Sequence, residues 1–297
     1  MSQRLIEINT INAHYSFITS IGLFPSGKFV SISDDLSIKI WNTNFIPIQT
    51  INNAHDEIIY NITIQDENNF ITSSRDKTIK FWSKKNNKYQ NIETLKGTHK
   101  KSIFKIIIFS PNSFFSCSFD NTVKLWEKFG DYFQCNMVIM HAKSIWNILI
   151  LNDKNLLITS GTEGLFFWNL KLFNFICSLE KGCYGFNSLT RLDNNKIIIG
   201  GDINKIMSVI NINNFEIIQE IDNLSLCYAI YYIPKKKIFL TGGKGKEIRV
   251  YDSENYKCLQ TITDAHDNII NGFCELKSGE IISYSWDRNF KIWNFQK

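Results

Sequence analysis

Histidine, serine and aspartate are the residues of this chain best equipped for chemistry, and their spacing decides what they do. The chain has five histidines, His14, His55, His99, His141 and His266, and each stands 27 residues before a tryptophan: Trp41, Trp82, Trp126, Trp168 and Trp293. Four of these intervals also carry an aspartate in a polar turn, Asp35, Asp76, Asp120 or Asp287, close to serines and threonines. Serine, histidine and aspartate together are the material of a hydrolase triad, but a triad needs one exposed nucleophile beside oxyanion donors. Four copies at a fixed period point to a repeated structural brace instead. No HxH, HExxH or clustered Cys/His spacing suggests a metal site. The glycine-rich stretches Gly200-Gly201 and Gly242-Gly243-Lys244-Gly245-Lys246 lack the GxxxxGK[ST] of a phosphate-binding loop, and both glycine pairs fall in turn slots that backbone permissiveness explains. No catalytic residue, metal or cofactor is therefore expected.

The elements that carry these residues follow from the repeat. Aligned on the last aromatic or apolar residue of each unit, seven repeats end at Trp41, Trp82, Trp126, Trp168, Ile210, Tyr251 and Trp293. The positions one and three before that residue are apolar in all seven, as in Ile38 and Ile40 or Ile79 and Phe81, and a two-residue period marks a strand. A tight polar turn precedes each such strand, and a second turn cluster, such as Pro25-Ser26-Gly27, lies further back. Three strands thus follow each histidine slot and a fourth follows the tryptophan, repeated about every 42 residues, as in a β-propeller. The last unit has no room for a fourth strand after Trp293. The run from Arg4 to Ile11 resembles one, so the N-terminal strand is expected to complete the last blade and close the ring over a single domain spanning 1–297.

Composition narrows the class further. Hydrophobic residues at 44% and charged residues at 21% fit a globular fold rather than a disordered one. No apolar run approaches the roughly 20 residues of a membrane span, and the start lacks a signal-peptide core. Seven cysteines without CxxC spacing read as reduced thiols of a cytoplasmic or nuclear protein. The net charge of +5 invites a nucleic-acid reading, but Lys39, Lys80, Lys124, Arg249 and Lys291 all fill one repeat slot, two before the terminal aromatic. The remaining lysine clusters are small, which disfavours nucleic acid as a partner.

The copies SDDLSIKIW (33–41), SRDKTIKFW (74–82), SFDNTVKLW (118–126) and SWDRNFKIW (285–293), each behind its histidine, closely resemble the WD-repeat family. The resemblance covers essentially the whole chain and implies an all-β, seven-bladed propeller with four antiparallel strands per blade. It also implies a hydrogen-bonded set in each regular blade, in the second of them His55, Thr72 or Ser74, Asp76 and Trp82. Units five and six lack the histidine, and units four to six have Thr162, Asn204 and Gly245 in place of the turn aspartate.

Propellers of this family often dock partners over the top face at the mouth of the central channel. Two repeat slots commonly line it, the fifth residue after the histidine and the residue before the turn aspartate. Here the first slot projects to Thr19, Tyr60, Phe104, Trp146, Ser188, Ala229 and Asn271. The second projects to Asp34, Arg75, Phe119, Gly161, Ile203, Lys244 and Trp286. The candidate partner-binding set is Asp34, Tyr60, Arg75, Phe104, Phe119, Trp146, Lys244 and Trp286, rich in the types enriched at interaction hot spots. The alternative for Phe104 and Trp146 is ordinary core between blades. The expected role is a non-catalytic, monomeric scaffold within a larger complex, binding a protein or peptide; Arg75 and Lys244 suit an acidic or phosphorylated one.

Overall fold

A computed structural model describes residues 4–180, 188–200, 205–223 and 225–296. The slots projected to Ile203 and Asn204, and Gly201, lie outside these residues. The described residues form seven four-stranded antiparallel sheets arranged as the blades of a propeller. In blades 1 to 6 the four strands follow one another in chain order, innermost to outermost; blade 1 runs Ile18–Leu23, Phe29–Ser33, Ile38–Trp41 and Pro47–Ile51. The innermost strands pack side by side around the whole ring, with that of blade 7, Ile270–Glu275, back against that of blade 1.

Blade 7 takes its outermost strand from the other end of the chain. Arg4–Asn12 pairs antiparallel with Asn289–Gln296, from Arg4 opposite Gln296 to Asn12 opposite Asn289. Gln260 of blade 6 fastens this strand sideways: its amide donates to the Leu5 carbonyl and accepts from the Leu5 amide, both at 2.8 Å. Gln49 of blade 1 makes the same two bonds to Tyr89 of blade 2. A side-chain amide is a copy of the backbone's own donor and acceptor, so it satisfies an outer strand where no fifth strand exists.

The core lies between blades. Phe24, Val30 and Ile32 of blade 1 meet Ile59, Ile62 and Phe70 of blade 2 in one buried cluster. The second strands are buried on both faces and mix apolar residues with serine and threonine, whereas outer strands alternate with solvent, as Pro47–Ile51 does. The terminal aromatic of the third strand stacks on its cross-strand partner, Trp82 on Phe70 at 5.8 Å and Tyr251 on Phe239 at 5.0 Å. Gly242 and Gly243 sit in the strand Ile238–Gly243, not in a turn, and neither has a positive φ. Their requirement is close approach: a Cβ on Gly243 would stand 2.0 Å from the Leu226 carbonyl, and one on Gly242 would stand 2.7 Å from Ile270.

Candidate functional site

Two sets of residues compete for function, the buried histidine sets and the mouth of the channel. In blade 2 the indole Nε1–H of Trp82 donates to Thr72 Oγ1 at 2.8 Å, and Thr72 Oγ1 lies 2.7 Å from His55 Nε2. His55 Nδ1 lies 2.8 Å from Asp76 Oδ2, and Asp76 also accepts from Thr78 Oγ1 at 2.6 Å and from the Asp56 amide at 3.1 Å. Only one proton arrangement satisfies every group: tryptophan donates to the hydroxyl, the hydroxyl to Nε2, and Nδ1–H to the carboxylate. Ser31, Ser116 and Ser283 take the part of Thr72 in blades 1, 3 and 7, with His14 and Asp35, His99 and Asp120, and His266 and Asp287. Ser74, the alternative to Thr72, instead donates to the Glu57 carbonyl.

This connectivity is that of a triad, with serine or threonine on Nε2 and aspartate on Nδ1, and burial is what separates it from one. Ser31, Thr72, Ser116 and Ser283 are all 0% exposed, and each hydroxyl already holds an indole and an imidazole. A nucleophile must reach substrate, and these cannot. Burial pushes the His55 imidazole below its ordinary value by more than the Asp76 carboxylate raises it, and the same holds at His14 and His99. Burial would raise Asp76, but hydrogen bonds from His55 and Thr78 outweigh it and hold the carboxyl well below the usual range. Neutral imidazole beside ionised carboxylate is the state the bonds require.

The basic slot has a structural explanation that sequence reasoning missed. Lys80 Nζ donates to the Ala54 carbonyl at 2.7 Å and Lys124 Nζ to that of Thr98 at 2.6 Å; Lys39 does the same to Ala13. Each accepting residue immediately precedes a histidine, so the lysine fastens the segment that presents the imidazole. Lys291 pairs with Glu7 instead, and Arg249 with Glu247.

Blade 4 departs from the scheme although its His141–Trp168 spacing is regular. Trp168 and His141 both bond Thr159, at 3.1 and 3.3 Å, but Thr159 is 9 residues from the tryptophan where the other blades have 10. The turn Asn152–Lys154 before its second strand is longer and the turn before its third is shorter, and the two changes cancel in the spacing. Among the described residues His141 has no carboxylate on Nδ1, and burial pushes it down to about 4.

A family model described as "WD domain, G-beta repeat" matches residues 6–42, 45–83, 90–127 and 256–294, just over half of the chain. The chain belongs to this WD-repeat family. The four matches are the four repeats with a complete histidine, aspartate, hydroxyl and tryptophan set. No curated protein matches the chain. WD-repeat propellers commonly mediate protein interactions and are typically non-enzymatic scaffolds.

At the mouth of this WD-repeat ring, a bulge places the key side chains. Pairing between the first two strands skips the second residue of the innermost strand: Thr19, Tyr60, Phe104, Trp146, Tyr228 and Asn271 in blades 1, 2, 3, 4, 6 and 7. A bulge leaves one residue out of the ladder and re-aims its side chain. The slot projected to Ala229 therefore belongs to Tyr228, which is half-buried, while Ala229 is 1% exposed. The error arose in the turn Pro234–Lys236, one residue longer than its counterpart in blade 2, with no histidine to anchor the count. Ser188, the blade 5 projection, is likewise fully buried.

Aromatic rings line one side of the mouth. Tyr60 packs on Phe104 at 5.1 Å, Phe104 on Trp146 at 4.5 Å, and Phe119 on both at 6.0 and 6.1 Å. Phe104 is 5% exposed and belongs to the core between blades 3 and 4, so as a partner contact it is corrected to a support beneath its neighbours. Phe119 is 41% exposed, with the Lys101 ammonium 5.0 Å from its ring; Trp146 is half-buried. On the blade 7 side Trp286 stacks on Phe17 at 4.8 Å. With Thr19, Asp34, Ile58, Tyr60 and Asn271 these two rings line a cavity of about 210 Å³. Arg75 is exposed and 3.9 Å from Glu57, and Lys244 stands exposed in the matching turn of blade 6; neither belongs to the lining.

Proposed function

We propose that this protein is a non-catalytic interaction platform that docks a protein or peptide partner on the top face, around the mouth of the channel. The observation that supports it is the aromatic arc of Tyr60, Phe119, Trp146 and Trp286, gathered at one rim beside a small cavity. Large aromatics at the centre of a preformed surface carry binding energy at low entropic cost. The four buried sets are closed to substrate, and burial pushes the Cys227 and Cys274 thiols up to about 12, which removes them as nucleophiles at neutral pH. Three of the repeat-slot lysines already hold backbone carbonyls and Lys291 pairs with Glu7, which weakens a nucleic-acid reading further. We assign the protein to the cytoplasm or nucleus, acting as a monomeric ring inside a larger complex.

Affinity capture from cells tests this reading, with Arg75→Ala/Trp286→Ala against Tyr132→Ala, an exposed aromatic at the opposite end of blade 3. The partner is expected to be lost with the double variant and kept with the control. Retention by a folded double variant contradicts the site.

A further inference from the structure

The cavity at the mouth has a chemistry more specific than an apolar docking patch. Its walls are the Phe17–Trp286 stack, Ile58 and Tyr60, and one charged group, Asp34, stands among them. Asp34 is half-buried, and Oδ2 accepts from Ser16 Oγ at 2.9 Å. The other charges felt at Tyr60 are Glu57 and Arg75, and these two lie 3.9 Å apart with over half of each side chain exposed. Glu57 and Arg75 face each other outside the lining, so Asp34 is the charged group that sets the sign of the cavity.

Three physical arguments then fix the occupant. The volume of about 210 Å³ falls below the roughly 300–1,000 Å³ of sites for drug-sized ligands, so the cavity takes one side chain and not a whole metabolite. An apolar side chain would desolvate the Asp34 carboxylate without compensation, and an anionic one would add repulsion. A long cationic side chain satisfies both demands: its methylene stem packs on Ile58 and Phe17, while its head meets the carboxylate and the π-faces of Trp286 and Tyr60. We infer that this cavity receives an arginine or lysine side chain from an extended segment of the docked partner. The inference rests on top-face docking and reverses the acidic or phosphorylated ligand that Arg75 and Lys244 suggest in sequence, because Arg75 already faces Glu57 and Lys244 is not in the lining.

The test selects displayed random peptides on the folded protein after depletion on Trp286→Ala, then titrates the enriched peptides. The enriched set is expected to share one arginine or lysine beside apolar residues. Replacing that residue with glutamine, or Asp34 with asparagine, should each weaken binding by at least about tenfold, the scale of a lost charge-assisted hydrogen bond. The two losses should not add when combined. Asparagine keeps an acceptor for Ser16, so an unchanged melting temperature of Asp34→Asn shows that the loss is local. Peptides that need Trp286 but tolerate Asp34→Asn, or that carry glutamate or phosphoserine instead, overturn the cationic occupant and leave docking intact. Selection that yields no peptide dependent on Trp286 overturns both.

Discussion

At the scale of single residues, a neutral imidazole bonded at both nitrogens ties the second strand of its blade, and through it the third, to the turn between them. His55→Ala would leave Asp76 and Thr72 without their shared partner in a buried site, at a cost of about 2–3 kcal/mol. Denaturant unfolding measures it, and an unchanged midpoint would refute the brace. The same groups set the response to acid. His14, His55, His99 and His141 have folded values below their ordinary 6.5, so the unfolded chain takes up protons first and stability falls as pH drops below that value. Asp35, Asp76, Asp120 and Asp287 are also depressed, and their contribution is lost below the ordinary carboxylate value of 3.8. Both effects have one sign: stability should fall steadily from pH 7 to pH 3. His141, at about 4, is the separable part. His141→Gln should flatten the loss between pH 6.5 and 4 by up to about 2–3 kcal/mol in unfolding experiments across that range.

At the scale of elements, the ring is closed by a strand held along one edge by backbone pairing and along its side by Gln260. Gln260→Ala removes two hydrogen bonds to Leu5 and should cost about 1–2 kcal/mol. Hydrogen exchange in the variant should quicken over Arg4–Asn12 and not over the outer strand of blade 2; equal protection in variant and parent would contradict the fastening by Gln260. The strands and their order were legible in the sequence because the two-residue apolar period and the turns recur seven times. The histidine brace was legible too, since its members keep fixed offsets. The channel mouth was only half legible. Its residues stand on a bulge, and locating a bulge needs a count from an anchor. The histidine supplies the anchor in blades 1, 2, 3, 4 and 7, and its absence in blade 6 hid Tyr228 behind Ala229. Depth was not legible at all: Phe104 and Trp146 occupy the same slot, yet one is core and the other reaches the surface. Nor did spacing reveal the lysines, whose carbonyl partners lie 26 residues away across the blade.

For the whole molecule, the close packing of seven blades makes a stiff ring whose top face is built before any partner arrives, and such surfaces bind with little rearrangement. Chemistry is unevenly distributed over that face. Blades 7, 1 and 2 carry the cavity and its carboxylate, blades 3 and 4 carry Phe119 and Trp146, and the braces of blades 1, 3 and 7 hold the turns that present Asp34, Phe119 and Trp286. The most direct test of top-face docking compares two exposed aromatics of the same blade that stand at opposite ends of it, Phe119 and Tyr132. Each is replaced in turn by a photo-reactive phenylalanine analogue and crosslinked in cells. The partner should form adducts from position 119 and none from position 132; adducts from 132 alone would place docking on another surface and contradict the account.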